Sequence, residues 1–302
     1  MTTELVALFL GSSIRLAIPL FFAATGELVS ERAGIVNMSV EGMMLTGAFG
    51  GAVGAALTGS PMLGLGCAVL LVLPVAILQS VLTNTLRANQ IVTGIGINIM
   101  ALGLTTLGYR AIFGARSREV IPGFDVWPLP YLGDLPLVGP LFQQIWMFYL
   151  VVIVIAIVGY VLAKTGWGIA LRAAGDDPQA VVKSGAPLLG IRHAAILFTG
   201  VMSALGGAFL SIGDIHTFTE GMTNGAGYLA IVAVIFGSWK LWRTVAACLL
   251  FGAATALQFQ LPAFGIQVPN ALLIMMPYLL ALVAVAGLAG RQAAPRALAQ
   301  PQ

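Results

Sequence analysis

Runs of about 20 apolar residues recur from one end of this chain to the other, and they limit its fold more than any other feature. A stretch of this length can cross the hydrocarbon core of a bilayer as an α-helix. Short polar breaks separate the runs. The apolar segments lie at about 4–26, 42–59, 62–86, 91–113, 144–163, 193–213, 227–239, 244–261 and 270–289.

The charge content points to the same class of protein. Charged residues make up 8% of the 302 residues and apolar residues 59%, whereas a soluble domain carries about 25% charged residues. No polar stretch is long enough to build a separate soluble core. The sequence therefore predicts an all-α, polytopic membrane bundle of about 8–10 spans, forming one domain over residues 1–302, with broken helices and inverted repeats as possible features.

Basic residues predict the orientation of the bundle. The break at about 164–192 is rich in them, and short loops of this kind stay in the cytoplasm. Alternating from that loop places the N-terminus outside, the C-terminus inside and a proline-rich loop at about 114–143 on the outer face. The basic residues of the inner loop are Lys164, Arg172, Lys183, Arg192 and His193.

A short helix is predicted inside this cytoplasmic loop. Asp177 is placed as its N-cap, Pro178 at its first position and Gly185 as its stop. Two helical turns are marginal alone in water, so the helix needs a surface to pack against. That surface is either the chain's own cytoplasmic ends or a groove on a cytoplasmic partner. The apolar side chains involved are Ala180, Val181 and Val182.

Several amide and carboxylate side chains lie in or beside apolar segments. Polar groups buried without a partner cost about 2–7 kcal/mol, so they must bond to other helices, backbone, water or cargo. The interpretations left open are lining of a solute pathway and bracing of a broken helix. The pathway candidates are Asn37, Glu41, Asn98 and Asn224, and a structural role is favoured for Gln258 and Gln260.

Two charged residues and one repeated triplet complete the polar features. Glu31 and Arg32 are expected to be interfacial ions near the cytoplasmic end of the first span. The triplet Glu-Gly-Met occurs at 41–43 and again at 220–222, each time before a run rich in glycine and alanine. By the predicted orientation, the two triplets lie on opposite sides, as an inverted repeat requires.

The sequence lacks the patterns of several other functions. It contains no phosphate-binding loop of the type G-x-x-x-x-G-K-[ST], so any ATP site is expected on another polypeptide. Cys67 and Cys248 are expected to be buried hydrophobic residues. His193 and His216 have no partners at recognisable spacing, so we predict no catalytic residue, metal site or cofactor. No cluster of aromatic and basic residues predicts nucleic acid binding.

Five stretches carry a resemblance to a known family. They are GELVSERAGIVNMSVEGMMLTGAF at 26–49, IVTGIGINIMALGL at 91–104, RAAGDDPQAVVKSG at 172–185, FTEGMTNGAGYLAIVAVIFGSW at 218–239 and ALLIMMPYLLALVAVAGLAG at 271–290. Together they resemble the membrane permeases of ABC importers for nucleosides and simple sugars, in the group that includes ribose and branched-chain amino acid permeases. Related loops often have Glu-Asn-Pro where this chain has Asp176-Asp177-Pro178, and both supply a capping residue.

The resemblance implies a permease subunit of a bacterial inner-membrane importer, in contact with membrane lipid. Cytoplasmic ATPase subunits would dock at the helix Asp176–Gly185, and an external binding protein would deliver a small solute. A second permease subunit, homologous or identical, would complete the pathway. The alternatives are an ion-coupled secondary transporter or channel, in which Glu41 or Glu220 carries the ion, and a membrane-embedded enzyme.

Overall fold

The computed structural model describes residues 2–114, 120–128, 133, 139–262, 269–288 and 294–298. Much of the predicted outer loop and most of the break at 262–269 lie outside the described residues. The helices are α1 Thr2–Arg32, α2 Val40–Thr58, α3 Pro61–Ser80, α4 Gln90–Phe113, α5 Gly139–Phe142, α6 Trp146–Lys164, α7 Gly166–Asp176, α8 Pro178–Lys183, α9 Leu188–Ala208, α10 Ala226–Phe236, α11 Leu241–Gln260 and α12 Asn270–Leu288. Two π-helical turns, Val81–Thr85 and Phe209–Ile215, continue α3 and α9.

The predicted all-α membrane bundle is confirmed. Within the described residues, seven helices are long and apolar enough to cross a bilayer. Two shorter apolar helices, Ala226–Phe236 and Leu272–Val283, account for the seventh and ninth predicted segments. Each of the nine apolar segments therefore corresponds to a helix, and the seventh is a half-length helix of 11 residues.

The predicted end of the first span is wrong. The sequence placed a polar break at 27–41, but α1 continues to Arg32 and the irregular segment covers only 33–39. Glu27 and Glu31 lie inside the helix and are 0% and 1% exposed. Hydropathy ended the span before Glu27 because it does not show that Asn37 and Trp239 supply hydrogen-bond donors to these two carboxylates.

Close packing of α2 against α9 forms the centre of the bundle. A Cβ on Gly47 would lie 2.6 Å from the Cα of Ala204, and one on Gly207 would overlap the carbonyl oxygen of Met44. The helices therefore approach at backbone distance, as small residues in membrane helices allow. On its other side, α2 packs Gly54 against Cys67 of α3.

Polar breaks of the chain meet at two ends of the bundle. Arg87, Asp177, Lys183 and Arg296 line one cavity of about 1040 Å³ at the end assigned to the cytoplasm. At the other end, a two-stranded antiparallel sheet joins β1 (Val126–Pro128) to β2 (Gln143–Ile145). The backbone at 121–124 bonds to that at 212–216 on this outer side.

Candidate functional site

The cytoplasmic loop has the local structure that the sequence predicts. Asp177 Oδ1 accepts hydrogen bonds from the backbone N–H groups of Gln179 and Ala180, both at 3.1 Å. Pro178 occupies the first turn of α8, and Gly185 follows the helix with a φ of +78°. The left-handed conformation suits glycine because it has no Cβ to clash. These residues hold α8 as a defined two-turn helix.

The three apolar side chains of α8 do not share one environment. Val181 is 3% exposed and belongs to one buried apolar cluster with Val29, Ala33 and Leu171. Ala180 is exposed, and Val182 is 60% exposed. Of the two surfaces that the sequence left open for this helix, Val181 uses the chain's own bundle, to which it anchors α8. Only Ala180 and Val182 remain available to a partner.

A buried arginine connects this loop to the break between α1 and α2. Arg192 is 0% exposed; its Nε donates to the carbonyl of Ala33 at 3.2 Å and its Nη2 to the carbonyl of Ala174 at 3.3 Å. Gly175 packs directly against the backbone of Arg32, so close that a side chain would not fit. Arg192 therefore joins the end of α7 to the start of the 33–39 break.

Asn37 lies at the centre of that break and is fully buried. Its backbone N–H donates to Glu27 Oε1 at 2.9 Å, and its side-chain Oδ1 accepts from the Ser39 hydroxyl at 2.6 Å. Glu27 therefore satisfies an irregular backbone that has no helical partners of its own. The side chain of Asn37 stabilises the turn that leads into α2.

Glu31 and Arg32, which the sequence predicts to be interfacial ions, both bond to Trp239. The indole N–H of Trp239 donates to the Glu31 carboxylate, and Arg32 Nε donates to the Trp239 carbonyl at 2.8 Å. Both therefore hold the segment between α10 and α11, and Glu31 is buried. Trp239, to which the sequence had assigned no role, is the residue that joins them.

Glu41 caps the half-length helix α10. Its Oε1 accepts from the Thr223 hydroxyl at 2.6 Å and the Gly225 N–H at 2.8 Å, and its Oε2 accepts from the Gly227 N–H at 2.7 Å. A carboxylate is stabilised here because the first N–H groups of a helix lack intrahelical partners and carry positive partial charge. The structure thus brings the first Glu-Gly-Met triplet against the start of α10.

Asn98 supports the same junction from α4. Its Oδ1 accepts from the N–H of Gly42 at 2.8 Å, while its Nδ2 donates to the carbonyl of Met38 and to the hydroxyl of Tyr228, each at 2.8 Å. Asn37, Glu41 and Asn98 therefore lie on one polar network around the start of α2. Their assignment to a solute pathway stays a prediction.

Asn224 adjoins this network but has different surroundings. It precedes α10 with a φ of +44°, and its carbonyl accepts a hydrogen bond from the Tyr278 hydroxyl at 2.5 Å. Its side chain lines a cavity together with Gln258. Of the four pathway candidates, Asn224 is the one that borders this cavity, and its pathway role also stays a prediction.

Glu220, the first residue of the second triplet, does not repeat the role of Glu41. It is exposed and accepts hydrogen bonds from Arg110 Nε at 2.7 Å and Nη2 at 3.1 Å. The hydrogen bond from Arg110 lowers the pKa of the Glu220 carboxyl. This ion pair connects the C-terminal end of α4 to the segment before α10.

Sequence reasoning missed two polar contacts because they join distant segments. Arg15 forms an ion pair with Asp214 across α1 and the end of α9. His193 is bonded to the Ser80 hydroxyl at 2.6 Å. A charge inside an apolar run, such as Arg15 at 4–26, was the available signal for the first. Within the described part of the chain, no group of three or more His, Cys, Asp or Glu residues could hold a metal ion.

The described residues form a helical membrane bundle with one short capped helix, α8, partly exposed at one end. Comparison with known families shows which class of membrane protein this is. The chain belongs to the family of branched-chain amino acid transport system permease components, whose model matches residues 9–290. It is accordingly a multi-pass protein of the plasma membrane. No solved structure gives a significant match.

Curated relatives extend over nearly the whole chain. The guanosine ABC transporter permease protein NupQ of Bacillus subtilis is 31% identical and covers 99% of this chain and 97% of its own. The nucleoside ABC transporter permease protein NupC of Lactococcus lactis is 32% identical, with 92% and 91% covered. The putative glucose ABC transporter permease protein TsgC13 of Haloferax volcanii is 34% identical, with 87% and 80% covered.

Proposed function

We propose that this chain is the permease subunit of an ATP-driven importer that takes up a nucleoside. The exposed apolar side of α8, formed by Ala180 and Val182, carries the proposal, because an apolar surface on a rigid cytoplasmic helix fits a groove on an ATPase subunit. ATP binding and hydrolysis take place on that partner, and this chain supplies the pathway without chemistry of its own. An external binding protein delivers the solute to the outer face.

The names of the relatives support a nucleoside over a simple sugar. The two that are named for guanosine and nucleoside match 99% and 92% of this chain, whereas the one named for glucose matches 87%. All three identities lie between 31% and 34%, so coverage and not identity favours the nucleoside. A simple sugar is the second candidate.

A second, non-identical permease subunit completes the pathway. In Bacillus subtilis this chain matches two guanosine transporter permeases, NupQ at 31% and NupP at 24% identity. In Haloferax volcanii it matches two glucose transporter permeases, at 34% and 27%. In each organism, two permeases with different sequences are named for the same solute. This chain is more similar to one member of each pair, which supports a heterodimer of two different permeases.

Asn37, Glu41, Asn98 and Asn224 are assigned to the pathway within this proposal. The first three form a framework of hydrogen bonds around the start of α2 and the start of α10. Asn224 borders the cavity that it shares with Gln258. Movement of α8 reaches this framework through α7 and Arg192, which bonds Ala174 and Ala33. Coupling of this kind requires that both segments shift together.

The substitution Val182→Asp tests the docking surface. A charge there opposes burial in an apolar groove, while the bundle stays intact because Val182 is already 60% exposed. We expect an ATPase subunit to be recovered with the wild-type chain from native membranes and to be reduced about tenfold or more with the variant.

Val120→Asp is the matched control, since Val120 is 84% exposed on the opposite side of the predicted membrane. It should recover the ATPase like wild type. Recovery of no ATPase with the wild-type chain would contradict the importer. Equal recovery with both variants would keep the importer and remove α8 as its docking element.

A further inference from the structure

A cavity of about 500 Å³ lies among α1, the end of α9, α10, α11 and α12. Small-molecule sites span about 300–1,000 Å³ and combine mostly apolar walls with a few convergent polar groups. This cavity has that composition, with leucine, proline and phenylalanine side chains around a small polar set. By the predicted orientation, it lies in the outer half of the bundle, next to the segment that precedes α10.

An ion pair lies at one wall of the cavity. Arg15 Nε is 2.5 Å from Asp214 Oδ1, and Arg15 Nη2 donates to the Asp214 carbonyl at 3.4 Å. The side chains keep 41% and 19% of their surface accessible. Charges in an apolar membrane segment are expensive and mark functional sites by default. The two charges cancel, so the wall is polar without attracting an ion of either sign.

The carboxylate of this pair can recognise a vicinal diol. An ionised carboxylate only accepts hydrogen bonds and has about four acceptor positions, of which Arg15 uses part. Two neighbouring hydroxyl groups present donors at a spacing that a carboxylate can bridge. Carboxylates bind ribose hydroxyls in this way in dinucleotide-binding folds.

Two amide side chains face the cavity with free bonding capacity. Among the described residues, the side chains of Asn224 and Gln258 have no protein hydrogen-bond partner. An amide offers donors and an acceptor together, which matches the edge of a nucleobase. Phe259 and Tyr278 also line the cavity and are 64% and 39% exposed, so aromatic surface is available for a planar ring.

We propose that this cavity binds the transported nucleoside, with Asp214 accepting hydrogen bonds from two ribose hydroxyls and Asn224 and Gln258 facing the base. The inference rests on the proposed function, because it assigns the solute of that importer to a place within this chain. A phosphorylated nucleotide is disfavoured because the one cation among the described lining residues, Arg15, is already paired with Asp214 and leaves no charge for a phosphate. A bare sugar leaves the two amides and the aromatic surface unused.

Direct binding to the permease–ATPase complex, purified without the external binding protein, tests this site. The probes are radiolabelled guanosine and uridine, with their 2′,3′-dideoxy analogues as competitors. We expect saturable binding of at least one nucleoside and a loss of about tenfold in affinity for its dideoxy analogue. Asp214→Asn should weaken the nucleoside about tenfold and leave the dideoxy analogue unchanged, so that the preference for the diol disappears.

Asp125→Asn removes an exposed carboxylate outside the cavity and should bind like wild type. If Asp214→Asn cannot be purified, Gln258→Leu carries the test and should weaken the nucleoside and its dideoxy analogue by the same factor, about fivefold. Three results would overturn the assignment. Asp214→Asn could still prefer the nucleoside over its dideoxy analogue, or Gln258→Leu could bind the nucleoside with unchanged affinity. The third is that ribose displaces the bound nucleoside as effectively as unlabelled nucleoside does.

The wild-type complex separates this inference from the function on which it rests. If it binds no nucleoside but accumulates one with ATP and the external protein, the site is wrong and the importer stands. If it neither binds nor accumulates a nucleoside, both the site and the nucleoside importer are wrong.

Discussion

Glu41 connects two segments that lie about 180 residues apart in sequence. Its carboxylate receives three hydrogen bonds from the start of α10, a role that spacing alone had not distinguished from lining a pathway. The sequence correctly marked Asn37, Glu41 and Asn98 as residues that require partners, because buried polar groups need them. It could not name the partners of Glu41 and Asn98, since segments distant in sequence supply them.

Replacing Glu41 by glutamine tests its capping role. The amide keeps the shape but removes the negative charge and turns N–H donors toward backbone N–H groups. Hydrogen bonds to charged groups contribute about 1.5–3 kcal/mol each, so we expect the free energy of unfolding to fall by about 2 kcal/mol or more. Thermal unfolding in detergent measures this. Glu220→Gln, on an exposed ion pair, should change the midpoint little; an equally small change for Glu41→Gln would contradict the capping role.

At the scale of elements, local rules predicted well and long-range contacts did not. The start and end of α8 followed from Asp177, Pro178 and Gly185, because capping depends on neighbouring residues only. The extension of α1 to Arg32 could not be predicted in this way, because it depends on contacts with Trp239 and with the 33–39 backbone. The half-length α10 was visible as a short apolar run, although its cap was not.

The contact between α2 and α9 gives a test at this scale. Gly207→Ala places a methyl group against the backbone of Met44, and overpacking of this kind costs about 1–3 kcal/mol. We expect a lower midpoint of thermal unfolding and weaker transport. Gly96→Ala is the matched control, because a Cβ there meets nothing within 4 Å. A midpoint for Gly207→Ala that equals the control would show that the helices are less closely packed than described.

For the whole molecule, hydropathy and basic residues predicted the class, the nine helical segments and the grouping of loops at two ends. Arg87, Lys183 and Arg296 do lie together beside one cavity. The open cavity lined by Asp214 and Gln258 was beyond sequence reasoning, because five separate segments form it. The single domain over residues 1–302 and the orientation in the membrane remain predictions.

The most direct test of the central claim, that this chain is part of an ATP-driven importer, is to measure which energy source drives uptake. The measurement is nucleoside accumulation in proteoliposomes that contain this chain, its partner permease and the ATPase subunits, with ATP inside and the external binding protein outside. The account predicts concentrative uptake that requires internal ATP and is unaffected by ionophores. Accumulation by this chain alone, driven by an ion gradient and abolished by ionophores, would contradict it and establish the secondary transporter instead.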